Sequence, residues 1–199
     1  MNETQLGEVL PVSATIAACF GISNPKSLAV RPFRDAEISI VYLHATAPAN
    51  QRRLVRFAPD DAYLITLYLV DVEHRDVYQG GAATAFRIYQ KRSICLIDLR
   101  PGAAIEIRGS FEALAFHIPR RYLDELSAHA GEAPVGELRT CRGADDEVVE
   151  SLGAAFADMF DMPAETEPQA LTHIVIAFGA HLMHRYGRPT ISDGPSVMP

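Results

Sequence analysis

The residues that most readily do chemistry in this 199-residue chain are its histidines and cysteines, and their spacing excludes several reactions. A divalent metal in an open site is held by converging imidazoles and carboxylates, and in metal-dependent barrel enzymes two of the histidines stand one residue apart. Here His44, His74 and His117 are isolated and no such pair occurs, so no metal and no cofactor are expected. His117, at the end of an apolar stretch, reads as a hydrogen-bonded structural histidine or as an inward-pointing ligand contact. His181 and His184 are neighbours on a helix surface, but His173 lies about 16 Å from His184 along the axis and cannot share an ion with them. The pair near a helix C-terminus suits simple dipole partnership or a pH-sensitive contact between subunits. Cys19, Cys95 and Cys141 are odd in number and widely spaced, with no CxxC, so neither a disulfide framework nor a zinc knuckle is expected and a reducing cytoplasm is the better setting. Cys95 falls in the apolar run Ser93–Leu99 and reads as core. Cys141, between Arg139 and Arg142, is either a thiol of lowered pKa or an inert loop cysteine. Ser93, Ser110 and Ser151 have no nucleophile elbow, and no glycine-rich phosphate loop follows a strand. The chain therefore reads as a binding protein, not an enzyme.

Binding a small molecule needs a few polar groups aimed into a mostly apolar pocket. Alternation supplies candidates: Tyr42 and His44 share one face of a strand, Thr66 and Tyr68 share one face of another, and His117 lies on a third. Pattern alone leaves open which face is interior. Arg53 and Arg56 either meet an anionic effector or face solvent.

Charge narrows the partners. Net charge is −7, and residues 1–118 carry as many acidic as basic side chains, so the whole surplus sits in residues 119–199. A phosphate-backbone binder needs clustered positive charge, so this chain alone is not expected to bind nucleic acid. The N-terminus has no signal-peptide pattern, and no apolar run is long enough for a helix to span a bilayer.

The elements that must position these residues change character at Pro119. Before it the pattern is β: Glu37–Leu43, Arg53–Phe57, Tyr63–Val72 (apolar enough to be covered on both faces), Asp76–Gln79, Ala83–Ile88, Ser93–Leu99, Ala104–Arg108 and Phe111–Ile118. Gly80-Gly81 signals a hairpin and Pro101-Gly102 a tight turn. Val12–Phe20 fits either a short strand or a helix. After Pro119 the spacing predicts three helices: Arg120–Ala130 stopped by Gly131, Asp145–Met162 with acidic residues at its start, and a third that opens on a capping box at Thr166–Gln169 and ends at Gly187 and Pro189. That third helix has two apolar sides. Leu171, Ile174, Val175, Phe178, Leu182 and Tyr186 form one stripe. Ile176, Ala180 and Met183 lie off it and are candidates for a homodimer interface.

Three segments taken in order resemble the sensor portion of AraC/XylS-family regulators: YLITLYLVDVEHRDVYQGG at Tyr63–Gly81, the strand–turn–strand–IPRRYLDEL stretch at Ile94–Leu126, and the helix Leu171–Gly187. The resemblance spans roughly residues 25–187. It implies a mainly β fold with C-terminal helices: a cupin-like β-barrel over residues 1–118 that binds an unknown small-molecule effector, a helical dimerisation region of about three α-helices over 119–190, and then a domain of two helix-turn-helix motifs. The twelve residues after Gly187 cannot hold such motifs, so residues 191–199 read as a tail leading toward a DNA-binding domain that this chain lacks. It is a piece of a longer regulator or a naturally short one that acts by mixed dimerisation; a cupin-type enzyme is the rival from another class.

Overall fold

The computed structural model describes residues 11–162 and 168–189. Their order is α1 (Val12–Cys19), β1 (Ser27–Val30), β2 (Ile38–Ala45), β3 (Arg52–Phe57), β4 (Ala62–Tyr68), β5 (Val72–Asp76), β6 (Arg87–Tyr89), β7 (Ser93–Asp98), β8 (Ala103–Arg108), β9 (Phe111–Pro119), α2 (Arg120–Ala130), β10 (Val135–Leu138), β11 (Cys141–Asp145), α3 (Glu147–Met159), α4 (Pro168–Tyr186) and β12 (Gly187–Pro189). The start of the expected capping box, Thr166, and the tail 191–199 lie outside the described residues.

The strands make a six-stranded sheet in the order β1-β2-β9-β4-β7-β11, a four-stranded sheet in the order β3-β8-β5-β6, and a β10-β12 pair. Among the described residues the two larger sheets are open and face each other, a cupin-like β-rich arrangement. The mainly β character followed by three helices after Pro119 is as the resemblance implied, and α1 adds a fourth before the strands.

The large sheet is the middle layer because its strands are apolar on both faces. In β4, Leu64 and Tyr68 point one way, toward Val55, Val72 and Ile107 of the smaller sheet. Tyr63, Ile65 and Leu67 point the other way, toward Leu123 of α2, Val149 and Phe156 of α3, and Val175, Phe178 and Leu182 of α4. Phe116 of β9 centres the helix side, with its ring centroid 4.7 Å from Phe178 and 5.6 Å from Phe156. Burying a side chain of this size contributes about 1.5–3 kcal/mol.

Local chemistry explains the helix limits. Pro119 precedes α2, and Gly131 ends it in the left-handed conformation at φ 70°. Asp146 caps α3 by accepting from the N–H groups of Val148 and Val149. Both of its oxygens also lie 2.9 Å from His181 Nε2, and the Tyr186 hydroxyl donates to one of them at 2.7 Å. The start of α3 is thereby fastened to the end of α4.

Val12–Cys19 takes the helical one of the two forms its sequence fits. Several elements differ from the sequence pattern. The apolar run Tyr63–Val72 breaks after Tyr68, because the chain leaves the large sheet there and enters the small one as β5. Pro101-Gly102 does reverse the chain, through a Gly102 N–H to Leu99 carbonyl bond at 2.8 Å. The short polar strands β10 and β11 had no period-2 signal to reveal them. β11 joins the large sheet beside β7. β10 is held by its Leu138 N–H donating to the Tyr63 hydroxyl at 2.8 Å. Gly187 does stop α4, but the chain then pairs as β12 with β10.

Helix α4 approaches α2 closely at Gly179. A Cβ there would lie 2.6 Å from Tyr122 Cε1, inside the ring's van der Waals surface, while the Tyr122 hydroxyl donates to the Val175 carbonyl at 2.8 Å. Gly179→Ala is expected to lower stability by about 1–2 kcal/mol in urea unfolding, overcrowding outweighing alanine's better helix propensity.

Candidate functional site

The two facing sheets leave a cavity between them. The space open to a water-sized molecule is about 40 Å³ as the side chains stand, enough for ordered water and tight for anything larger. Its walls are mostly apolar, with Phe20, Phe57, Leu64, Ile97, Ile105 and Ile107 among them, and the polar groups are Thr66, Tyr68, His74, Cys95 and Arg142. Strand register explains why three of these meet. Thr66 of β4 lies opposite Cys95 of β7, and Cys95 opposite Arg142 of β11, so one row crosses three neighbouring strands.

His74 of β5 faces this row from the smaller sheet. It is 2% exposed and stacks flat on Tyr89, with centroids 3.9 Å apart and planes 4° from parallel. Its Nε2 lies 2.6 Å from the Tyr68 hydroxyl, which lies 3.5 Å from Cys95 Sγ. His74 Nδ1 is buried with no hydrogen-bond partner in the protein. Burial, helped by Arg142 and Arg87 and opposed by Asp76, pushes the imidazole down to about 4, so the ring is neutral at pH 7. Burial also raises the Tyr68 hydroxyl and the Cys95 thiol, keeping both protonated. Arg142 reaches Asp76 with Nε and Nη2 at 3.3 Å.

Of the residues expected to contact an effector, the structure brings Thr66 and Tyr68 into the cavity wall. Tyr42 and His44 do not belong there. In β2 the inward positions are Val41 and Leu43, so their neighbours point to the helix side. The Tyr42 hydroxyl donates to Glu112 at 2.7 Å and sits near Phe160, while His44 is exposed. His117 is on the inward face but outside the cavity wall, its Nε2 2.7 Å from the Asp60 carboxylate. Arg53 bonds the Phe20 carbonyl, and Arg56 faces solvent. On α4, Ile176 and Met183 are half-buried against the helix-side core and Ala180 is exposed. His181 is engaged by Asp146, while His173 and His184 are exposed. For Cys141, burial pushes the thiol up despite the flanking arginines, the reverse of an activated cysteine.

His74 and Arg142 line the cavity although neither is among the expected effector contacts, and Cys95, expected as core, lines it too. The period-2 spacing of Val72 and His74 carried the signal for His74. Arg142 had none, because its strand was unrecognised. Among the described residues, no three of His, Cys, Asp or Glu converge so as to hold a metal ion.

No protein-family model and no curated protein matches the chain. Solved structures do. A variant of ToxT from Vibrio cholerae strain SCE256, without ligand, is 10% identical over 78% of this chain and 60% of its own, with a TM-score of 0.50. A second ToxT structure is 8% identical over 79% and 60%, with a TM-score of 0.46. An RmlC-like cupin protein from Desulfovibrio desulfuricans is 14% identical over 60% and 97%, with a TM-score of 0.33. At such identity the ToxT likeness concerns the fold alone, and this chain spans about 60% of the length of those ToxT chains.

The buried imidazole makes stability depend on pH. Between the unfolded value of 6.5 and the folded value of about 4, the unfolded chain binds the extra proton, so stability falls as pH falls through that window. From pH 7.5 to 4.5 the native protein is expected to lose about 2–3 kcal/mol that His74→Phe does not lose, read from urea unfolding of both at each pH.

Proposed function

We propose that this chain is the ligand-sensing and dimerisation part of an AraC-type bacterial transcription regulator, a binding domain and not an enzyme, working in the cytoplasm. The carrying observation is the cavity between the sheets, whose mostly apolar walls include Thr66, Tyr68, His74, Cys95 and Arg142, with the buried His74 Nδ1 lacking a partner in the protein. A buried polar atom without a partner costs about 1–3 kcal/mol, and a small molecule that bonds it recovers that cost on binding. Apolar walls with a few polar groups are the usual make-up of such a site. The fold likeness to ToxT, an AraC-family regulator, supports the same reading.

Occupancy acts by favouring one of two arrangements of the helices, in proportion to the ligand's differential affinity for them. The side of α4 around the exposed Ala180, with the half-buried Ile176 and Met183 beside it, is the dimer contact in this reading, and DNA is reached through a domain that is not within these residues. No described helix is long and apolar enough to cross a membrane.

A thermal-shift screen of small metabolites tests the site. An effector is expected to raise the melting temperature, and Thr66→Phe, which fills the cavity, is expected to erase the shift while the variant stays folded. A shift unchanged by Thr66→Phe would place the ligand elsewhere. For the dimer, light scattering is expected to give two chains for the native protein and one for Ala180→Glu, because an unpaired charge in an apolar contact costs several kcal/mol. A native protein that is monomeric at high micromolar concentration would remove the dimer.

A further inference from the structure

Strand β11 borders the cavity at Arg142, and the residue that follows it, Asp146, bonds the last turns of α4. At its cavity end Arg142 meets Asp76 of the small sheet, with its Nη1 also 3.5 Å from the Leu96 carbonyl. The next residue, Gly143, has φ 65°, and a Cβ on it would lie 3.2 Å from Tyr89 Cδ1. Tyr89 is the ring on which His74 stacks. Two of the groups around the cavity's polar end, Arg142 and the Tyr89–His74 pair, therefore bear on adjacent residues of one strand. A bulge between Arg142 and Ala144 marks the spot, and such irregularities sharpen a strand's local bend and twist.

The other end of β11 runs directly into Asp146. Its carboxylate, only 3% exposed, takes bonds from Val148 N–H, Val149 N–H, His181 and the Tyr186 hydroxyl. Burial alone would raise its pKa, but the bonds from His181, Val149 and Tyr186 hold it below the usual range, so it stays a carboxylate. Tyr186 ends α4, and its carbonyl accepts from the Arg139 N–H at 2.7 Å. A displacement of β11 along its length cannot leave these bonds unchanged, since a buried carboxylate has no solvent to replace them.

We propose that β11 is the element that transmits the state of the cavity to α4, with Arg142 and Gly143 as its input and Asp146 as its output. This rests on the reading of the cavity as the effector site. Entry of a ligand beside Arg142 changes the Arg142–Asp76 contact and the seat of Tyr89, shifts the bulge, and alters how Asp146 divides its bonds between the start of α3 and the end of α4. Arg142 and Asp146 are four residues apart, at most roughly 13 Å along an extended chain.

A double-mutant cycle in urea unfolding of the unliganded chain tests the relay, using Arg142→Ala and Tyr186→Phe. The combined effect on the unfolding equilibrium constant is expected to depart from the product of the single effects by about threefold or more, where independent distant sites agree within about twofold. Agreement within twofold would overturn the proposal. Asp76→Asn breaks the same Arg142 contact from its partner's side and carries the cycle if Arg142→Ala does not fold. A companion cycle pairs Arg142→Ala with Tyr122→Phe, which loosens α4 from the α2 side, away from β11. Multiplicative behaviour is expected there, and equal coupling in both cycles would also overturn the relay. Because neither cycle uses a ligand, the result is independent of the thermal-shift screen.

Discussion

Strands β2, β4, β7 and β9 carry apolar side chains on both of their faces, and water must be kept from each. One sheet cannot do this by itself. The smaller sheet shields one face and the three later helices shield the other. The cavity follows from this arrangement, because two twisted sheets with Thr66, Cys95 and Ala113 at facing positions do not fill the space between them. The packing of the helices follows as well, since Phe116, Phe156 and Phe178 meet only if α3 and α4 both lie on the large sheet.

Polar groups within this apolar frame are few and concentrated. His117 is answered by Asp60, Tyr63 by the Leu138 N–H, and Tyr122 by the Val175 carbonyl. Asp146 answers four donors at once. These fixed pairs tie neighbouring elements together at defined points, while His74, a residue of the cavity wall, keeps a buried Nδ1 with no partner in the protein, as His117 also does. A satisfied buried network is rigid, whereas an unsatisfied polar atom is where a new partner gains most.

Much of the frame was legible in the sequence. The change from period 2 to period 3.6 at Pro119 located the start of the helices, Gly131 ended α2 where expected, and alternation in β4 put Thr66 and Tyr68 together. The same alternation in β2 grouped Tyr42 with His44 correctly but could not say which face was inward, since both faces of that strand are apolar enough to be covered. Arg142 was beyond reach because Cys141–Asp145 has no hydrophobic period; its strand exists through ladder bonds to β7 and not through side-chain patterning. The end of the run Tyr63–Val72 was hidden for the opposite reason. Its apolar character continues across the point where the chain changes sheets, so composition gives no sign of the break.

The pairing of β12 with β10 has a mechanical consequence. A helix that simply ended in solvent would act as a loose leash for whatever follows. Here Gly187–Pro189 is clamped against Val135–Leu138, and Leu138 is in turn bolted to Tyr63 in the middle of the large sheet. A small rotation of that sheet is thus passed to the end of α4 instead of being lost at a free joint.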